Sequence, residues 1–225
     1  MQAMENNKQI NSNKSSHCLV IPFPTVGHTN PMLQFSKRLE HKGAKVTLVL
    51  TKFMQKAFQI STSIAIEAFS DGYDEGGIGE AESFDAYEQR FRRIGSQTLT
   101  QLLEKLSAGT GQYPAVDCVV YDAFLPWVLD VAKSFGLPGA VFFTQSCAVG
   151  SIYYHVNKGL LRVPVESDKI SIAELPTLRP SDLPSFVSDP GLYPSTLKMV
   201  VEQFSNLDKA DWVLCNTYYE VEEKV

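Results

Sequence analysis

Along the chain, short runs of consecutive apolar and β-rich residues alternate with stretches whose apolar positions recur every three to four residues. The runs are CLVIPF (18–23), KVTLVL (45–50), SIAIEAF (63–69), CVVY (118–121), AVFFT (140–144) and WVLCNT (212–217). Strand runs separated by helical patterns predict a parallel sheet with right-handed crossovers, an α/β fold. In PMLQFSKRLEHKG, Met32, Phe35, Ser36 and Leu39 share one helical face, Lys37, Arg38, Glu40 and Lys42 lie mostly outside it, and Gly43 stops the helix. A longer amphipathic helix is expected over 85–106, after the glycine-rich loop SDGYDEGGIG. PWVLDVAKSFGLP has Pro126 at the first helical position, Val128, Val131, Ala132 and Phe135 on one face, and Gly136 with Pro138 as the stop.

Pro164 to Pro194 holds six of the twelve prolines and is expected to be irregular. It is either a binding loop or a surface crossover. YPSTLKMVVEQFSNLDKA then supplies a helix before the last strand.

Composition narrows the class without naming a function. At 225 residues with 44% hydrophobic content, the chain is long enough for one large α/β domain with a sizeable core. A net charge of −5 with no basic run argues against a nucleic-acid partner. Residues 1–16 are polar and lack an apolar core, so they predict a disordered tail rather than a signal peptide or membrane span. A cytoplasmic protein follows. Cys18, Cys118, Cys147 and Cys215 form no C-x-x-C pair and are expected to be reduced core thiols, not disulfides or metal ligands.

The candidate chemistry lies in FPTVGHTNPM, residues 23–32. Asn30 is a favoured N-cap and Pro31 a favoured first helical residue, which leaves His28 in the tight turn behind the first strand. Ligands of open α/β sheets bind outside the carboxyl ends of the strands, where strand order reverses. In the order 3-2-1-4-5-6 the first strand lies about 4.8 Å from the fourth, and Asp122 directly follows that strand. A His28–Asp122 hydrogen bond would fix the imidazole tautomer and let the other nitrogen take a proton from a substrate hydroxyl. Two plainer readings stay open on these residues alone. His28 could be a satisfied polar residue at a helix N-terminus, and Asp122 could complement the helix that starts at Pro126.

Other α/β chemistries fit less well. The first turn reads P-T-V-G-H-T where a dinucleotide-binding dehydrogenase needs G-x-G-x-x-G. No G-x-S-x-G elbow supplies a hydrolase nucleophile, and Cys147 reads as a small residue packing the following helix. No D-x-D pair offers itself to a nucleotide-bound metal, so no metal site is expected.

The stretches PFPTVGHTNPMLQFSKRL, ISTSIAIEAFSDGYDEGG, VVYDAFLPWVLDVAKSFGLPGAVFFTQSCAV, LRPSDLP and VLCNTYYEVEEKV, in this order, resemble the amino-terminal half of a plant family 1 UDP-sugar-dependent glycosyltransferase. The resemblance covers nearly everything from His17 to Val225. It implies that residues 17–225 are the acceptor-binding, Rossmann-like domain of a GT-B fold, with helices on both faces of the sheet. His28 then matches the general base and Asp122 its relay partner in an inverting transfer to a hydroxyl or carboxyl of a hydrophobic plant metabolite. Gly27 and Thr144 match donor-side positions; Phe124, Val26 and Gln145 match the acceptor side. The implied co-substrate is a UDP-sugar, UDP-glucose first, with no further cofactor. The family's H-C-G-W-N-S donor box is absent, so a carboxyl-terminal donor-binding domain is expected in cis or in trans, and this chain alone is expected to be inactive. The alternative is a non-catalytic module that binds a hydrophobic aglycone.

Overall fold

The computed structural model describes residues 15–57, 62–107 and 114–223. Strands β1 (His17–Ile21), β2 (Lys45–Thr51), β3 (Ala65–Phe69), β4 (Cys118–Asp122), β5 (Gly139–Phe143) and β6 (Trp212–Cys215) form one sheet. Its order is β3-β2-β1-β4-β5-β6, the common doubly wound order, and every pairing is parallel. The helices between them are α1 (Val26–His41), α2 (Lys52–Ala57), α3 (Phe84–Ser107), α4 (Trp127–Ser134), α5 (Cys147–Asn157), α6 (Ser185–Ser188) and α7 (Pro194–Glu202).

Successive strand residues feed opposite faces, because side chains alternate along a strand. Leu19, Ile21, Val49, Val119, Tyr121, Val141 and Phe143 join one core with residues of α3, α4, α5 and α7. Cys18, Val20, Leu48, Leu50, Val120, Ala140 and Phe142 join a second core with Met32 and Leu33 of α1. Both faces are covered, which is why the strands read as unbroken apolar runs rather than alternating ones.

Several expectations are corrected. Helix α1 begins at Val26 with Thr25 as N-cap, so Asn30 caps nothing and Pro31 lies inside the helix. The Thr29 amide donates to the Thr25 carbonyl at 2.9 Å and Thr29 is buried, so tertiary packing extends the helix back through the expected turn. Pro126 is the N-cap of α4 rather than its first residue, and Phe135 is its C-cap. Asp122 ends β4 instead of following it. Of the expected tail, residues 1–14 lie outside the described residues, whereas Ser15 and Ser16 run beside the start of β2. The Ser15 hydroxyl donates to the Gly43 carbonyl at 2.7 Å, and the Lys45 amide donates to the Ser16 carbonyl at 2.8 Å. All four cysteines are free thiols, but Cys215 is exposed rather than in the core, because β6 is an edge strand.

The proline-rich stretch holds only a single bridge, Ile170 to Leu178, a 3-10 turn at Pro180–Asp182 and α6. It nevertheless packs, burying Ile170, Ile172, Leu183 and Val187 in the first core. Among the described residues no helix is long and apolar enough to cross a membrane.

Candidate active site

At the carboxyl end of β1 the chain passes through Pro22, Phe23 and Pro24 into α1, which puts His28 in the first helical turn. Neighbouring β4 ends at Asp122, whose carboxylate is fully buried. One oxygen, Oδ2, lies 2.7 Å from His28 Nδ1; the other, Oδ1, accepts the Phe124 amide at 3.0 Å. A carboxylate only accepts, so Nδ1 carries a hydrogen, and in the neutral tautomer that this selects Nε2 is the acceptor. Among the described residues Nε2 makes no hydrogen bond, and the His28 side chain keeps 14% exposure. Asp122 both braces the turn before α4 and holds His28.

Thr144 follows β5, and its Oγ1 lies 3.2 Å from the same Nδ1. Since that hydrogen is given to Asp122 at the shorter distance, Thr144 keeps its own hydroxyl proton for another partner. The Phe124 ring stands 4.5 Å from the imidazole and the Phe23 ring 5.5 Å, centroid to centroid. His28 therefore has a hydroxyl and two aromatic rings as neighbours.

Two spaces border these neighbours of His28. An aromatic slot is lined by Phe23, Phe84, Tyr87, Phe91, Phe124 and Trp127. Tyr87 is held in it by a 2.9 Å hydrogen bond to the buried Asp71 carboxylate, which also accepts the Tyr73 amide at 2.8 Å. Burial pushes the Asp71 carboxyl above its usual value, against those hydrogen bonds. An open cleft of about 1020 Å³ begins at Thr144 and Ser146 and is edged by Glu174, Leu175 and Pro176 of the proline-rich stretch. Its far wall is the segment after β6, where Glu222 accepts the Cys147 and Ala148 amides at 2.9 and 3.0 Å. Partial burial works against ionisation, yet the two amides hold the Glu222 carboxyl below its ordinary value.

The structure thus brings His28, Asp122, Thr144 and Phe124 together. Val26 and Gly27 sit in the same helical turn, exposed to solvent, and nothing lies within 4 Å of where a Gly27 side chain would be. Gln145 lines a separate apolar hollow with Phe143, Tyr154 and Phe204 rather than the aromatic slot. Sequence reasoning missed Phe23, Tyr87, Phe91 and Trp127. The spacing Phe84, Tyr87, Phe91 on one face of α3 was the available signal. Among the described residues no group of three or more His, Cys, Asp or Glu side chains could hold a metal ion.

A parallel α/β sheet of this kind is also found in known proteins. Os79 from O. sativa, in complex with UDP, superposes with a TM-score of 0.81 at 33% identity, covering 92% of this chain and 47% of that one. UDP-glycosyltransferase 74F2 of Arabidopsis thaliana is 46% identical over 213 residues, 93% of this chain and 45% of its own length. Indole-3-acetate beta-glucosyltransferase of Zea mays is 42% identical over 223 residues, again 93% of this chain and 47% of its own. No family model matches. The chain's homologues are plant UDP-glycosyltransferases, and its sheet matches the amino-terminal domain of their GT-B structures. The chain spans about half the length of the curated relatives it matches.

Proposed function

We propose that this chain is the acceptor-binding, base-carrying half of an inverting UDP-sugar-dependent glycosyltransferase, with UDP-glucose as the donor. The carrying observation is the 2.7 Å His28–Asp122 contact, with Phe23 and Phe124 beside the imidazole lining the aromatic slot and Thr144 beside it lining the open cleft. A hydrophobic aglycone packs against Phe124 outside the narrow slot, with Val26 beside it and Gln145 one residue beyond Thr144. Its hydroxyl gives its proton to His28 Nε2, while the oxygen forms a bond to the anomeric carbon from the face opposite the diphosphate. The bond from that carbon to the phosphate oxygen breaks, and UDP leaves with the electron pair. Asp122 stabilises the resulting imidazolium. General-base catalysis of this kind supplies about 10² to 10⁴ in rate. Thr144 offers its hydroxyl to the donor sugar, and the open α1 terminus at Gly27 lets the diphosphate approach the backbone. No metal is required, and the reaction takes place in the cytoplasm.

The sugar-binding remainder of the site comes from a donor-binding domain, in cis or in trans. Relatives named as UDP-glycosyltransferases and glucosyltransferases at 46% and 42% identity support the donor class. The test is UDP-glucose-dependent transfer to a panel of phenolic, steroid, triterpenoid and aromatic-acid acceptors, read by product mass. Transfer is expected once a donor-binding domain is supplied. Transfer by the chain alone would contradict the division of labour, and no transfer in either case would contradict the function.

A further inference from the structure

Helix α3 turns Phe84, Tyr87 and Phe91 toward the aromatic slot, and Glu88 interrupts this apolar set. Glu88 is half-buried in the slot lining, one turn from Phe84 and from Phe91. Among the described residues it makes no hydrogen bond and no ion pair. Burial pushes its carboxyl above the usual value; Lys198 and Arg92 pull it down, and Glu202 and Asp85 push it up again. The other acid in the lining, Glu202, already has Lys198 Nζ at 3.9 Å. A carboxylate partly desolvated among aromatic rings gains from a hydrogen-bond donor that reaches it.

The space beside it is small. The closed part of the slot measures about 40 Å³, room for two or three water-sized groups. It suits the polar tip of a ligand, not a whole aglycone. A line of ring contacts leads there from His28: Phe124 to Phe23 at 5.6 Å, then Phe23 to Phe91 at 6.3 Å. Phe91 in turn lies one helical turn from Glu88.

We propose that Glu88 is a specificity-determining residue that accepts a hydrogen bond from a second hydroxyl of the acceptor, remote from the one at His28, so that the slot selects bifunctional hydroxylated aglycones. This rests on the reading that the acceptor packs against Phe124. It requires no change at the reacting atoms, because Glu88 acts on binding alone.

Direct binding to this chain tests it, with Trp127 in the slot wall as the fluorescent reporter. The probes are 4-hydroxybiphenyl, 4,4′-dihydroxybiphenyl and 4′-hydroxybiphenyl-4-carboxylate. The wild-type chain is expected to bind the diol about 10- to 100-fold more tightly than the mono-ol, as a hydrogen bond to a charged group provides. Glu88→Leu is expected to abolish that preference and to bind the mono-ol at least as well; Glu88→Gln is expected to keep part of it. Circular dichroism checks that both variants fold. Equal affinity for diol and mono-ol in the wild type, or an undiminished preference in Glu88→Leu, would overturn the assignment. So would tightest binding of the carboxylate probe, lost in Arg92→Gln, since that would give the slot end to Arg92. No saturable binding of any probe would overturn the slot itself. A diol preference without sugar transfer would leave Glu88 standing and remove the proposed function instead.

Discussion

Two histidines stand at the two ends of β1, each beside an aspartate at the matching end of β4. His17 opens the strand, fully buried, with Nδ1 at 2.8 Å from the Pro114 carbonyl and Nε2 at 2.9 Å from Thr47 Oγ1. Its backbone amide donates to Asp117 at 2.9 Å. His28 lies past the other end, with Nδ1 on Asp122 and Nε2 open. The residue type and the neighbouring aspartate are the same; what differs is how many ring nitrogens the fold satisfies. A histidine with both nitrogens paired in the interior is structural. One with a single nitrogen fixed by a carboxylate, at the carboxyl edge of a parallel sheet, is poised to move a proton.

Breaking the Asp122 side is expected to have the largest effect. Asp122→Asn removes the group that fixes the tautomer and stabilises the imidazolium, and transfer to an alcohol acceptor should fall by about 10² to 10⁴, or roughly 3 to 5 kcal/mol of barrier. Steady-state kinetics with a donor-binding domain supplied measures it. Next comes the opposite end of the strand. His17→Leu strands the fully buried Thr47 hydroxyl, at about 1 to 3 kcal/mol, and removes the partner of the half-buried Pro114 carbonyl. Denaturant unfolding should report that loss, while turnover per folded molecule stays as it was. If His17→Leu instead abolished turnover in a folded protein, the contrast would collapse.

The slot sharpens the same contrast. A side chain at Gly95 would meet the Phe91 ring at 2.9 Å and Trp127 at 3.0 Å. Gly95→Val should therefore destabilise by about 1 to 3 kcal/mol and weaken aglycone binding, measured by thermal melting and tryptophan quenching. The smallest effect is expected at Asp71. Its carboxyl titrates higher in the fold than in the unfolded chain, so its contribution is complete below the ordinary aspartate value of about 3.9 and is lost as pH rises through the raised value. Asp71→Asn should flatten that part of the stability profile, and an unchanged profile would refute the assignment.

Strand order and the His28–Asp122 pairing were legible in the sequence because both depend on topology. Apolar runs and helical periods give a parallel sheet, and the doubly wound order sets the first strand beside the fourth. The start of α1 was not legible. Asn30 and Pro31 carry a strong local signal for a helix start, and the packing of Thr29 overrides it. The slot was hidden for another reason. Phe23, Phe91, Phe124 and Trp127 come from four segments, and only the fold brings their rings together. Glu88 reads from sequence as one more charge on an amphipathic helix, and its meaning comes from the rings around it.

The central claim is that His28 removes the acceptor proton. The most direct measurement compares wild type with His28→Ala, donor-binding domain supplied, on an alcohol acceptor and on a carboxylate acceptor of similar shape. The carboxylate arrives without a proton to lose. The alcohol rate should fall by about 10² to 10⁴ and the carboxylate rate by much less. An unchanged alcohol rate, or equal losses on the two acceptors, would contradict the role of His28 as base.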